Sequence, residues 1–274
     1  MQQPTIASLT KEVRFEGFVL VRMSEQRTGS NGSKYLDLTL ADRTAEVNGK
    51  LWDGNVPAPP VGSVIKVRGL VVEYNGRLQL RIEKLRAQEA GDEVDMAALT
   101  PSAPEPPEAM LAELDAALAA MQSEPLRKIC EHMLAQYAGR LAYYPAAQRI
   151  HHAERSGLLH HTTGMLRLAK AVLPLYPQLN ADLLIAGVLV HDLCKVEEME
   201  SDTLGVVRDY TQSGLLLGHI AIGVTRIAEA ATATGVTGEA ATLMQHMMLS
   251  HHGEEAFGSP RKPMFPEAEA LHWI

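Results

Sequence analysis

The chain has 274 residues, 46% of them hydrophobic, with a formal net charge of −8 and two cysteines. That length is long for one compact domain and sufficient for two, and the negative balance excludes a protein that coats nucleic acid with its whole surface. No run of about eighteen apolar residues predicts a membrane span, the polar start from Met1 to Lys11 is not a secretory signal, and Cys130 and Cys194 lack CxxC spacing, so a reducing cytoplasm is the expected setting.

Charge is unevenly spread. Residues 1–87 hold 13 Lys/Arg against 9 Asp/Glu (+4), residues 88–126 hold none against 9 (−9), and residues 127–274 hold 12 against 15 (−3). The basic first segment suits a polyanion, although +4 over that length is also an ordinary solvated surface. Within it, Val13, Phe15, Phe18, Leu20 and Val21 predict a first strand. A Gly/Ser/Asn loop follows from Thr28 to Ser33, then Tyr35, Leu36, Leu38 and Leu40 alternate in a second strand. Asp42-Arg43 turns into a third strand, Ala45–Trp52, and the Pro/Gly-rich stretch 53–62 is loop. Val64–Tyr74 and Arg77–Leu85 are joined by Asn75-Gly76, a strong hairpin signal. Five short strands suit a small closed barrel, because closure removes exposed edges. The predicted barrel spans 10–88. Residues 89–108, acidic and then rich in proline, have a linker composition.

The remainder, 109–274, reads as all-α. Helices are predicted at Ala109–Met121, Leu126–Leu141, Leu158–Leu173, Ala181–Val196, Leu215–Ala231 and Glu239–Leu249. All eleven histidines lie here, ten of them at or after His151: His151, His152, His160, His161, His191, His219, His246, His251, His252 and His272. One histidine on an apolar face is usually a core residue with a satisfied hydrogen bond. This density, and the setting of His191-Asp192 after the apolar run Leu183–Val190, point elsewhere. A buried aspartate needs a partner or a metal, and Lys195 lies one helical turn on. Imidazole with carboxylate suits Mn, Fe, Zn, Co or Ni and differs from the oxygen shells of Ca and Mg. A carboxylate can bridge two ions, and two ions can clamp the attacking and leaving oxygens of a phosphoryl transfer.

His161 … His191-Asp192 resembles the HD superfamily of metal-dependent phosphohydrolases. Four strings narrow the likeness: HHAERSGLLHHT (151–162), YPQLNADLLIAGVLVHDLCKVEE (176–198), YTQSGLLLGHIAIG (210–223) and LSHHGEEAFGSPRKP (249–263). In this order, behind an OB-like barrel, they resemble the YhaM-type 3′→5′ exoribonucleases. The resemblance implies that His161, His191 and Asp192 hold a first metal, with Asp192 bridging, and that His219, His251 and His252 complete a second. Which of His251 and His252 ligates is left open. Lys195 would stabilise phosphoryl charge or orient the attacking water. His152 would contact a substrate phosphate or serve structure. The family usually has Gly at Cys194, so a packed core thiol is expected, with a thiolate ligand the lesser alternative. Its last ligand, an Asp, would be the residue after Ile274, and a further C-terminal helical segment is missing. The 109–274 domain is thus expected to be truncated or to lack a ligand.

Nucleic-acid candidates on the barrel are Phe15, Phe18, Tyr35, Trp52 and Tyr74 for stacking, with Arg14, Arg22, Lys34, Lys50, Lys66, Arg68, Arg77 and Arg81 for phosphates. The string KYLDLTLADRTAEVNGKLWD (34–53) is similar to the second and third strands of nucleic-acid-binding OB folds. Alternation puts Lys50 with Trp52 and Lys66 with Arg68, and turns Tyr35 away from Lys34. Lys34, Tyr35, Lys50, Trp52, Lys66 and Arg68 are the selected contacts, although Phe15 and Trp52 also suit a core.

The expected function is metal-dependent degradation of single-stranded RNA, or DNA, from the 3′ end to nucleoside 5′-monophosphates. Asp192 and Lys195 would be catalytic, and two divalent ions would be bound. Mn²⁺ is implied by resemblance, while Fe and Co fit the same donors. Two other readings stay open: an HD hydrolase of free nucleotides, and a non-catalytic nucleic-acid-binding protein with a vestigial site. Homo-oligomerisation is not decided by the sequence.

Overall fold

The computed structural model describes residues 3–29, 32–148 and 152–274, so His151 lies outside the described residues. The chain divides into two compact units, Met1–Pro101 and Ser102–Ile274.

The first unit is a closed five-stranded barrel of β1 (Arg14–Thr28), β2 (Lys34–Ala41), β3 (Glu46–Leu51), β4 (Val64–Tyr74) and β5 (Arg77–Ala87). Neighbours run β1-β2-β3-β5-β4, and β4 returns to β1, with β3–β5 the one parallel pairing among the described strands. β1 is longer than the sequence suggests. Glu25 to Thr28 have no apolar alternation, but they pair with Lys34 to Asp37 of β2 and so stay in the ladder. Asn75 and Gly76 both have positive φ (51° and 72°), as the two-residue hairpin turn requires. Gly69 sits at a bulge where a Cβ would lie 2.4 Å from the Arg81 carbonyl, so only glycine lets these strands approach. Inward residues, including Phe15, Val19, Leu36, Leu38, Leu40, Ile65, Val67, Val71 and Leu80, fill the barrel.

The stretch read as linker is partly built into structure. Arg86 makes paired hydrogen bonds to Asp92 (both 2.7 Å). A short helix, α1 (Met96–Leu99), is capped by Asp95 and buries Leu99, and the Ala98 carbonyl accepts from the Arg43 amide. These residues belong to the barrel unit.

The second unit contains α2 (Pro107–Ala120), α3 (Glu124–Leu141), α4 (Gly157–Val172), α5 (Ala181–Val190), α6 (Lys195–Glu198), the hairpin β6 (Met199–Ser201) and β7 (Val207–Tyr210), then α7 (Gln212–Ala233), α8 (Glu239–Ser250) and α9 (Pro266–Trp273). α5 is its centre. It is apolar on nearly every side, and such a helix must be buried. Seven of its residues are, against α3, α4, α8 and α9. Neither the hairpin β6–β7 nor α9 is predicted from the sequence, and two predicted helices differ from expectation. The helix predicted over Ala181–Val196 stops at Val190, and a turn through His191–Cys194 precedes α6. α7 starts before Leu215 and breaks at Gly218, whose φ of 70° is non-helical. By length and composition α7 could cross a membrane. However, its apolar residues Ile220, Ile222 and Ile227 are buried, it packs on α3, α6 and α8, and it carries the Arg226–Glu229 ion pair.

Candidate metal centre

Four helices deliver six side chains to one place. His161 projects from α4, His191 and Asp192 follow the end of α5, His219 follows the break in α7, and His251 and His252 follow α8. Asp192 is the hub, its side chain only 4% exposed. Its Oδ2 lies 3.4 Å from His161 Nε2 and 3.3 Å from His191 Nε2, and these two nitrogens are 3.1 Å apart. Its Oδ1 lies 3.4 Å from His219 Nε2 and 3.8 Å from His251 Nε2. His252 joins this second group, whose donor atoms all fall within 4.8 Å of one another. The carboxylate therefore places one oxygen in each of two donor clusters.

The backbone fixes which ring nitrogen faces inward. Nδ1–H of His191 donates to the Val188 carbonyl (2.8 Å), that of His251 to Met248 (2.8 Å) and that of His252 to Phe257 (2.7 Å). His219 Nδ1–H donates to Glu198 Oε1 (3.1 Å), which also accepts from the His219 amide (3.0 Å). With Nδ1 protonated, a neutral ring carries its lone pair on Nε2. Four imidazoles are thus oriented as metal donors by outer hydrogen bonds, the arrangement typical of metal-bound histidine.

The cluster fits divalent metal. Asp192 Oδ1, His219 Nε2 and His251 Nε2 are buried with no hydrogen-bond partner. Leaving such atoms bare costs about 1–3 kcal/mol each. Ligands about 2.0–2.2 Å from an ion lie roughly 3.0–3.5 Å apart in tetrahedral or octahedral geometry, which matches the first cluster and the Asp192–His219 contact. The nitrogen and carboxylate donors suit first-row transition metals.

The charges agree. Burial opposes ionisation of Asp192, but Lys195 and the histidines outweigh it and hold the carboxyl well below its ordinary range. Lys195 Nζ lies 2.8 Å from Asp192 Oδ2. Burial lowers the pKa of His161, His251 and His252, which favours the neutral, ligating ring. Burial also opposes the charge on Glu198, but its bonds from His219 hold it below the usual carboxylate range. Cys194 is not in either donor group. It is fully buried, its Sγ 3.7 Å from Tyr137 Oη, and burial pushes the thiol up to about 12, so a thiolate ligand is not supported.

His152 lies beside the centre, its ring 5.6 Å from that of His161, but its Nδ1 faces His160 (3.1 Å). Glu198 is missing from the sequence reading. Its neighbour Glu197 bonds Tyr137 and Arg226, and in sequence the Glu-Glu pair looks like a solvated face.

On the barrel, Tyr35 and Trp52 stack with centroids 4.4 Å apart. Lys50 Nζ lies 5.2 Å from the Tyr35 centroid and 5.9 Å from that of Tyr74. Trp52 is 55% exposed and Tyr74 62%, so Trp52 is a surface aromatic. Phe15 is buried among the barrel's aliphatic side chains and cannot stack on a base. Lys66 and Arg68 do not join this platform. Lys66 pairs with Glu16 and lies over Phe18, and Arg68 pairs with Glu83. Lys34 is exposed, one residue from Tyr35 on the alternating strand.

Comparison with known proteins agrees with both units. Residues 13–87 match the family of OB-fold nucleic acid binding domains, and residues 158–274 match the HD domain family. The 3′-5′ exoribonuclease YhaM of a Geobacillus species is 41% identical over 260 residues, covering 94% of this chain and 79% of that protein. The protein of the same name from Halalkalibacterium halodurans is 37% identical over 263 residues, covering 94% and 81%. Among solved structures, the second OB-fold domain of replication protein A from Methanococcus maripaludis aligns at 17% identity over 34% of this chain and 100% of that one, with a TM-score of 0.27 that carries no argument. The identity and coverage of the two YhaM proteins establish the lineage: this chain belongs to the YhaM family of 3′-5′ exoribonucleases.

Proposed function

We propose that the chain is a metal-dependent 3′→5′ exoribonuclease that releases nucleoside 5′-monophosphates from single-stranded RNA. The observation that carries this is the Asp192 carboxylate, with one oxygen in each of two histidine clusters. His161, His191 and Asp192 would hold one divalent ion; Asp192, His219, His251 and His252 would hold the other. Bound there, the ions supply Lewis acidity to phosphoryl oxygens and acidify water. Mn²⁺ is proposed on the family resemblance, and Fe and Co suit the same donors.

The protein's own groups do the rest. Nδ1 hydrogen bonds hold the rings so that the donors need no reorganisation when phosphate arrives. Lys195 offsets the Asp192 charge and has further N–H donors for a phosphoryl oxygen. His161, with its side chain 30% exposed, marks the accessible side of the centre. Tyr35, Trp52 and Tyr74 provide ring faces for bases, and Lys50 a phosphate contact. The two free cysteines, both buried, are compatible with the cytoplasmic setting that we also propose.

A vestigial centre has no need for six converging donors and oriented outer bonds, so the non-catalytic reading is not favoured. The test uses the full chain with Mn²⁺ and two substrates, 5′-labelled single-stranded RNA and free nucleotides. Stepwise shortening of the RNA with nucleoside 5′-monophosphate product is expected. Turnover of nucleotides with intact RNA would overturn the proposal in favour of a nucleotide hydrolase.

A further inference from the structure

Beside the metal centre lies a second cluster that the proposed reaction does not use. His152 and Glu154 stand on the loop before α4, and His160 on the first turn of α4. His152 Nδ1 is 3.1 Å from His160 Nδ1; Glu154 Oε1 is 3.0 Å from His160 Nδ1 and 3.7 Å from His152 Nδ1. Three donor atoms from three side chains meet at one point.

Protons alone serve this arrangement poorly. A neutral imidazole has at most one proton on Nδ1. If His160 Nδ1 receives a bond from His152, its lone pair faces the Glu154 carboxylate and two acceptors meet. If His160 donates to Glu154, His152 Nδ1 faces a nitrogen whose hydrogen is already aimed elsewhere. No tautomer gives both short contacts a linear bond. A cation at the centroid satisfies all three lone pairs together. Tetrahedral ligands about 2.0–2.1 Å from zinc lie about 3.3 Å apart, and the observed separations of 3.0, 3.1 and 3.7 Å bracket that value.

The loop is shaped to hold the triad. His152 has φ of 57°, and its carbonyl accepts from the Ala146 amide at 3.0 Å. A Cβ on Gly157 would sit 1.9 Å from that carbonyl, so the glycine lets the loop close against the start of α4. The three side chains are each 25–30% exposed, which leaves a water path and room for a fourth, exchangeable ligand.

We propose that His152, Glu154 and His160 form a third metal site, separate from the two clusters on Asp192. Two imidazoles and one carboxylate select a borderline transition metal, Zn²⁺ or Co²⁺, over Mg²⁺ or Ca²⁺. Three protein ligands with an open position are the composition of a site that takes water or a phosphate oxygen as its fourth ligand. His152 is thereby a metal ligand, in place of a direct substrate contact. The site does not depend on Asp192, so it can be tested with the main centre disabled.

The experiment measures bound Zn²⁺ by elemental analysis after equilibration and gel filtration. It compares the full-length wild type, Asp192→Ala, His160→Ala, Glu154→Ala and the Asp192→Ala/His160→Ala double variant. Far-UV circular dichroism and melting in chelator verify folding. His160→Ala and Glu154→Ala should each bind one equivalent less than wild type. Asp192→Ala should retain an equivalent that the double variant loses, and Zn²⁺ should raise the Tm of the first but not of the second. If folded His160→Ala and Glu154→Ala both bind as much Zn²⁺ as wild type, the third site does not exist. Should Asp192→Ala not fold, the two cluster variants against wild type decide alone. Loss of Zn²⁺ in Asp192→Ala with wild-type binding in the cluster variants would overturn this site while leaving the main centre intact.

Discussion

Glu198→Gln tests whether the outer hydrogen bonds of the centre tune its metal. Glu198 Oε1 accepts from both Nδ1 and the backbone amide of His219, at 3.1 and 3.0 Å, directly after the break at Gly218. Glutamine has the same shape and can still accept the backbone bond, so the fold of α7 should survive. What is lost is the charge that makes His219 Nε2 a better donor. Removing such a partner weakens metal binding about 10- to 100-fold, which is about 1.4–2.7 kcal/mol. A hydrogen bond to a charged group contributes about 1.5–3 kcal/mol, so the two magnitudes agree. Only the cluster containing His219 should respond. Titrating metal-free protein with Mn²⁺ by calorimetry should show one ion weakened by that factor and the other nearly unchanged. Unchanged binding of both ions, or equal loss at both, would refute the reasoning.

Three further outcomes follow from the same geometry. Lys195→Met should leave both ions bound but reduce kcat about 10²- to 10³-fold, the effect of removing one donor to transition-state charge; metal content and single-turnover RNA cleavage check this together. Trp52→Ala should weaken single-stranded RNA binding by about 1–3 kcal/mol, or roughly 5- to 150-fold, and Lys50→Ala should flatten its salt dependence; anisotropy titrations at several salt concentrations measure both. Burial sets the pKa of His161, His251 and His252 below the ordinary histidine value. Protons therefore compete with metal only below about pH 6.5, and Mn²⁺ affinity should stay level down to that pH and fall beneath it. The metal-free protein should lose stability in the same direction, because the unfolded chain takes up protons at higher pH than the folded one. A metal affinity already falling well above pH 6.5 would contradict this.

Much of this was legible in the sequence, for identifiable reasons. Asn75-Gly76 and the alternation in β2 announce a hairpin and a half-buried strand by local chemistry alone. His191-Asp192 stands out because an aspartate just after the eight-residue apolar run Leu183–Val190 needs a partner. Features set by tertiary contact were not legible. The apolar pattern runs on through Val196, so nothing local says that the helix stops at Val190; the turn is stabilised once His191 Nδ1 takes the Val188 carbonyl. Gly218 reads as a tolerated helix glycine, and its left-handed φ is visible only where Glu198 receives the freed His219 amide. The acidic stretch after the barrel has a linker's composition, yet Asp92 binds Arg86, Leu99 is buried, and the Ala98 carbonyl accepts from the Arg43 amide. His160 and Glu154 are unremarkable apart, six residues from each other, and become a cluster only when the loop folds back on α4.

The central claim is that one carboxylate joins two metal clusters and makes the centre competent to cut RNA. The most direct measurement compares wild type with Asp192→Asn for bound Mn²⁺ and for 3′-end shortening of single-stranded RNA. Wild type should bind at both clusters and shorten the RNA from its 3′ end. The folded variant should bind weakly at both and leave the RNA intact. Wild-type binding and cleavage by Asp192→Asn would contradict the bridging role of Asp192.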